Sequence, residues 1–191
     1  RLGWGMPDLP LFNKSYRVFG ACGGAVMYRK KMLDHIGLLD EDFMMYYEDV
    51  DLNFRAQLYG YTCEFVPEAL VYHIGSATSG EVQTPQITYL IARNSLYVIM
   101  KNYPLPLLLK NLPRIVRSRA RFARHYFNQN SEMGNAFIRG LSCAFGKVVS
   151  MLVKRRRIQR NRVVSLDYIE ELFRSSEELL RKQNCANQPN Q

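Results

Sequence analysis

The sequence predicts an α/β fold, with short strands and helices alternating first and a basic, amphipathic helical region after them. Three observations carry this. Residues 18–72 hold short apolar runs broken repeatedly by Gly and Pro, the pattern of strands and turns between helices. From Pro85 onward, apolar residues recur at helical spacing. The charge also changes along the chain. Residues 1–100 carry 8 Lys/Arg against 11 Asp/Glu, residues 101–162 carry 15 against the single acid Glu132, and residues 163–191 carry 3 against 5. The net charge of +9 therefore comes from the middle block.

Taken in order, residues 1–18 read as loop, punctuated by Gly3, Gly5, Pro7 and Pro10. Val18 to Tyr28 reads as two short apolar strands around a glycine cluster, where a ligand or another backbone can come close. Arg29 to Ile36 predicts a short helix stopped by Gly37. Asp40 to Tyr46 is a loop of acids and aromatics. A helix is expected from about Tyr47 to Tyr59, with Val50, Phe54 and Leu58 as its buried stripe and Asp51 pairing with Arg55 at i, i+4. Gly60 ends it. Tyr61 to Val66 alternates as a strand does, Pro67 breaks it, and Ala69 to Tyr72 predicts a second strand ending at His73. Residues 75–80 form a polar, flexible loop.

The helical part begins with a segment from Ile87 to Lys101. Pro104, Pro106 and Pro113 interrupt the apolar, basic stretch after it, so helices are expected from Pro113 to about Asn128 and from Glu132 to about Arg160. A last amphipathic helix, Leu166 to Lys182, has Ser165 as its N-cap. The expected segments are 1–84, a basic helical region 85–162, an amphipathic helix 163–183 and a disordered tail 184–191. Cys22, Cys63, Cys143 and Cys185 are scattered without CxxC spacing, so free thiols are expected and no zinc site. No run of about 18 apolar residues exists to cross a membrane.

One segment concentrates chemistry. Glu48, Asp49 and Asp51 place three carboxylates in four residues at a helix N-terminus, where the helix dipole favours anions. Helix capping alone would explain such acids. Their company adds to that: a glycine cluster upstream and, downstream, a histidine at a strand end before a Ser/Thr/Gly loop.

Five stretches in order resemble the second half of bacterial family-2 glycosyltransferases, most closely the rhamnosyltransferase-like members. They are Phe19 to Ala25, Gly37 to Phe43, Tyr47 to Leu52, Val66 to Ala69 and Val71 to His73, within residues 18–103. The resemblance implies the C-terminal half of a GT-A fold, a mixed sheet flanked by helices. It implies inverting transfer of a sugar from a nucleotide-sugar to an acceptor hydroxyl, in synthesis of cell-envelope polysaccharide. By the same resemblance, Asp49 is the catalytic base and Glu48 helps place it or the acceptor. Gly23 and Gly24 would lie against substrate, and His73 would complete a site for a divalent cation, Mg²⁺ or Mn²⁺. Arg93 stands where processive relatives carry a diphosphate- or acceptor-gripping arginine, but the Trp of their motif is missing here.

Nothing in the sequence matches the family's nucleotide pocket or its DxD. The chain therefore reads as a piece lacking the donor-binding half, expected to be inactive by itself. The basic block points to an anionic partner. The expected one is the cytoplasmic face of the inner membrane, where the enzyme would be peripheral and meet a glycan or lipid-linked acceptor. Leu105, Leu107, Leu108 and Leu109 would supply the apolar contact. Nucleic acid is not expected as a partner. The competing reading is a non-enzymatic basic module that binds anionic membrane or nucleic acid.

Overall fold

A computed structural model describes residues 12–72 and 83–186, with side chains to residue 181. It is a mixed α/β molecule in which helices dominate. In chain order come β1 (Tyr16–Val18), α1 (Lys30–Ile36), a 3-10 turn (Glu41–Phe43), α2 (Glu48–Leu58) and β2 (Cys63–Phe65). After these come α3 (Pro85–Asn102), α4 (Leu105–Gln129), α5 (Ser131–Phe145), α6 (Val148–Arg160) and α7 (Leu166–Ala186).

Among the described residues the sheet has two strands, β1 antiparallel to β2, with Tyr16 opposite Phe65 and Val18 opposite Cys63. Two expectations change here. The glycine-rich stretch after Val18 makes a turn, closed by the Ala25 N–H on the Cys22 carbonyl at 3.0 Å, instead of two strands. Ala69 to Tyr72 is not a strand, and Leu70, Val71 and Tyr72 are exposed.

Local chemistry sets the helix ends. Gly37 closes α1 at φ 86° with its N–H on the Leu33 carbonyl, a conformation costly for any residue with a Cβ. Thr84 caps α3 by accepting from the Ile87 N–H, and Pro85 fits the first turn, where its missing N–H costs nothing. Asn130 caps α5 and Ser165 caps α7, the latter accepting from the Tyr168 N–H at 3.1 Å.

α4 runs unbroken through Pro113, where a new helix start was expected. The carbonyl that Pro113 leaves without a donor belongs to Leu109, at an exposed position where water can replace the lost bond. The single helix expected after Glu132 is instead two, α5 and α6, bent by 63° at Gly146–Lys147. The Gly146 N–H bonds to the Cys143 carbonyl at 3.0 Å, which tightens the last turn of α5 before the chain turns away. α7 continues to Ala186, past the point where a disordered tail was expected.

One core joins the first part of the chain to the helices. Phe43, Phe54 and Leu58 pack with Tyr97, Val98, Leu107, Met151, Ile158 and Ile169, and Val50 lies partly buried against them. α3 and α5 approach closely because Gly140 lacks a side chain: a Cβ there would sit 2.4 Å from the Tyr89 carbonyl oxygen. Leu107, expected on an apolar outer surface, is in the core at 3% exposure.

Candidate active site

The acidic start of α2 faces the glycine turn. Asp49 is half-buried, and its Oδ2 accepts from the Gly23 N–H at 2.9 Å while its Oδ1 accepts from the Val50 N–H at 2.7 Å. Both bonds fix the carboxylate, and each oxygen keeps a lone pair for another partner. Gly24 is exposed beside this contact. Glu48 Oε2 is buried and has no hydrogen-bond partner among the described residues. Burial pushes the Glu48 carboxyl up; its own backbone N–H opposes this, and repulsion from Asp49 adds to it. The Tyr28 hydroxyl is likewise buried without a partner, pushed up to about 12 by burial and by the charges of Asp49, Cys63, Cys22 and Glu48. The site thus joins a fixed carboxylate to two buried oxygens, Glu48 Oε2 and the Tyr28 hydroxyl, that have no hydrogen-bond partner among the described residues.

α2 holds the glycine segment by a ladder that sequence reasoning missed. Asp49, Asn53 and Gln57 stand at i, i+4 and i+8 on one face. They bond to the Gly23 N–H, the Ala21 carbonyl (2.7 Å) and the Phe19 carbonyl (2.8 Å). Four helical residues rise about 6 Å and two extended residues about 6.6 Å, so every fourth side chain meets every second backbone group. Gly20 permits the approach, since a Cβ there would fall 2.3 Å from the Asn53 side chain. The polar 49/53/57 spacing was the available signal.

The turn entering α2 carries three positive-φ residues that are not glycine: Met44 (60°), Tyr46 (67°) and Tyr47 (70°). α3 grips this turn. Asn94 Nδ2 donates toward the carbonyls of Phe43 (2.8 Å), Met45 (2.8 Å) and Tyr46 (2.7 Å). Arg93 Nη2 reaches the carbonyls of Phe43 (3.2 Å) and Asp42 (3.4 Å), its Nε donates to Asn94 Oδ1 at 2.9 Å, and its guanidinium lies over the rings of Tyr89 and Tyr97. Arg93 thus meets the protein's own backbone, Asn94 and the Tyr89 hydroxyl.

Asp51 turns the other way. It is fully buried, with Oδ2 on Arg55 Nε (2.9 Å) and Lys101 Nζ (2.8 Å) and Oδ1 on Asn102 Nδ2 (2.8 Å). The expected pairing with Arg55 is present, within a larger network. Lys101 also meets Asp40 at 2.6 Å, Lys154 bridges Asp40 and Asp42, and Lys147 meets Asp42 at 2.6 Å. Burial would raise Asp40, but hydrogen bonds from Lys101 and Lys154 outweigh it and hold the carboxyl at about 2. Hydrogen bonds from Lys147 and then Lys154 hold Asp42 down as well. Part of the basic block is therefore engaged inside the molecule. Arg119, which donates to Ser95 Oγ, and Arg155, which donates to the Met100 carbonyl, add to that part. A shallow cleft of about 430 Å³ opens over this network, between Leu38, Leu39, Tyr59 and Arg157.

His73 lies outside the described residues. Among the described residues no three His, Cys, Asp or Glu groups converge to hold a metal ion. Cys22, Cys63 and Cys143 are free thiols. No single described helix is long and apolar enough to cross a membrane; α5 and α6 together reach the length and composition, but only across their 63° bend.

The chain matches the model of glycosyl transferase family group 2 over residues 2–172, a span that takes in the acidic site and the helices from α3 to α6. No curated protein and no solved structure matches it. With a match over most of its length, the chain belongs to the family-2 glycosyltransferases.

Proposed function

We propose that this domain is the base-carrying part, lacking the donor-binding half, of a GT-A enzyme that performs inverting sugar transfer from a nucleotide-sugar to an acceptor hydroxyl in cell-surface glycan synthesis, with Asp49 as the base. The observation that carries the reading is the contrast at the head of α2. Asp49 is fixed by the Gly23 N–H yet half-exposed, with the unpartnered Glu48 Oε2 beside it, whereas Asp51 is sealed among cations. In the reaction, the acceptor oxygen bonds to the anomeric carbon from the face opposite the leaving group. Its proton passes to Asp49, and the bond to the diphosphate breaks with its electron pair on the departing nucleoside diphosphate. Glu48 helps place Asp49 or the acceptor, with the buried Tyr28 hydroxyl close enough to feel both carboxylates. Gly23 and Gly24 present backbone that a sugar can approach. The described residues do not make up a site for Mg²⁺ or Mn²⁺; His73 is the residue to examine for one.

The test uses the full-length protein with a panel of UDP-, GDP- and dTDP-activated sugars and a membrane extract as the acceptor source, reading release of nucleoside diphosphate. Asp49→Asn should lower turnover by roughly 10²–10⁴-fold with donor binding retained. Wild-type turnover in that variant would remove Asp49 from the role.

We also infer peripheral attachment to the cytoplasmic face of the membrane. Leu105, Leu109, Leu112 and Val116 form an exposed apolar stripe along α4, and Arg117, Arg121 and Arg124 lie exposed on the same helix. Each such base near an anionic surface contributes about 1 kcal/mol. Binding to anionic vesicles that exceeds binding to neutral ones, and that falls with salt, is expected; equal binding to both counts against it. Nucleic-acid binding, the other reading of the basic block, has fewer free bases to draw on, since Lys101, Lys147 and Lys154 are held by acids.

A further inference from the structure

We propose that Asn94, held in register by Arg93, is a positioning residue for the catalytic base, its side-chain amide setting the turn that aims Asp49. The inference rests on Asp49 being the base. The turn from Phe43 to Tyr47 is built from conformations that L-residues adopt only where the surroundings enforce them: positive φ at Met44, Tyr46 and Tyr47, none of them glycine. Such a turn directs several carbonyls inward. Here the carbonyls of Phe43, Met45 and Tyr46 converge on one nitrogen, Asn94 Nδ2, at 2.7–2.8 Å. Without a donor at that point three oxygens would face one another in a buried space.

Two further features make Asn94 the element that decides. It is fully buried on α3, between the Thr84 cap and the core residues Tyr97 and Val98, so its backbone is a fixed reference. An Asn amide could also present its oxygen to the turn, which would repel all three carbonyls. Arg93 Nε donates to Asn94 Oδ1, and that contact selects the orientation in which the nitrogen faces the turn. Arg93 Nη2 adds its own donation to the Asp42 and Phe43 carbonyls. The turn leads directly into α2 through Tyr47, its N-cap, and Asp49 lies two residues on. Any rotation of the turn swings Asp49 relative to the Gly23 N–H that fixes it. A displacement of about 1 Å in such a group can cost on the order of 10²-fold in rate. Arg93 thereby contributes through the backbone.

The experiment compares full-length wild type with Asn94→Asp, which keeps size but has no amide donors, and with Arg93→Met, which keeps a long side chain but no donors. Amide hydrogen exchange over residues 43–49 should quicken in both variants. With the sugar nucleotide that the donor panel identifies, kcat should fall roughly 10²-fold in Asn94→Asp and less in Arg93→Met, with KM for the donor unchanged. The double variant should lose less than the two single losses multiplied together, because Arg93 acts in part through Asn94. Unchanged exchange over 43–49 overturns the proposal, as does quickened exchange with wild-type kcat, or a loss of kcat matched by loss of donor affinity. Should Asn94→Asp not fold, Arg93→Met decides by the same readouts. Should the wild type turn over no sugar nucleotide, the proposed activity fails, while the exchange measurements still decide whether the clamp exists.

Discussion

Asp49 and Asp51 stand two residues apart on α2 and occupy opposite surroundings. Asp49 is half-exposed and, among the described residues, bound by backbone N–H groups, which orient a carboxylate without neutralising it. Asp51 is fully buried and meets a lysine, an arginine and an asparagine, which together use both of its oxygens. A helix separates them by turning about 200° between i and i+2, so one acid faces the glycine segment and the other faces α3. Three acids in four residues are therefore not one cluster. One turn of helix carries both acids, and the fold leaves one of them accessible and buries the other among cations.

The largest effect expected from breaking this comparison is on stability. Asp51→Asn leaves Lys101 and Arg55 buried with one carboxylate fewer, and should cost about 3–5 kcal/mol. A lowered denaturant midpoint with an unchanged slope would register it. Asp49→Asn should stay within about 0.5 kcal/mol of wild type while losing turnover, since its site is open to water. Equal destabilisation by the two substitutions would erase the distinction.

A smaller effect sharpens the comparison by extending it to Asp40 and Asp42. Both carboxyls are held below their ordinary value, Asp40 at about 2. A group depressed on folding contributes stability that is full above its unfolded pKa and is lost as pH falls through its folded one. The lysine contacts should therefore hold unchanged near neutrality and fade between about pH 4 and pH 2. Lys154→Met removes the bridge between the two acids. Its thermal midpoint should lie below the wild-type value at pH 6 and converge with it as pH approaches 2. A gap that stays constant down to pH 2 would show that the bridge adds nothing.

Much of the site was legible because its signals are local. The α2 boundaries, the Gly37 stop, the Ser165 cap and the Asp51–Arg55 pair each arise from residues within one or two turns of each other. The features that escaped depend on distance along the chain. Asn94 reaches carbonyls 48–51 residues earlier, and nothing in a lone Asn within a helix announces that. Lys154 could only be read as part of a basic run, because its partners lie 112 and 114 residues back. The elbow between α5 and α6 was hidden for a related reason. Gly146 alone is tolerated within helices; the bend is favoured by the packing of α6 against α3 and the placing of Lys147 and Lys154 over the acids.

The Lys154 bridge also has a consequence in time. On the ribosome the acids at 40 and 42 emerge long before their lysine, 114 residues ahead in the case of Asp40. At about 5–20 residues per second that interval is on the order of 5–20 s. During it, the turn that leads to the proposed base at first lacks both α3 and α6, and Lys101 for Asp40 and then Lys147 for Asp42 are made before Lys154 can bridge the two acids. A nascent chain halted before Lys154 would hold Asp49 and the Asn94 contacts but would lack the bridge between Asp40 and Asp42. The enzyme would thus be assembled as a late event of its own synthesis, when α6 folds back and closes over residues made well before it.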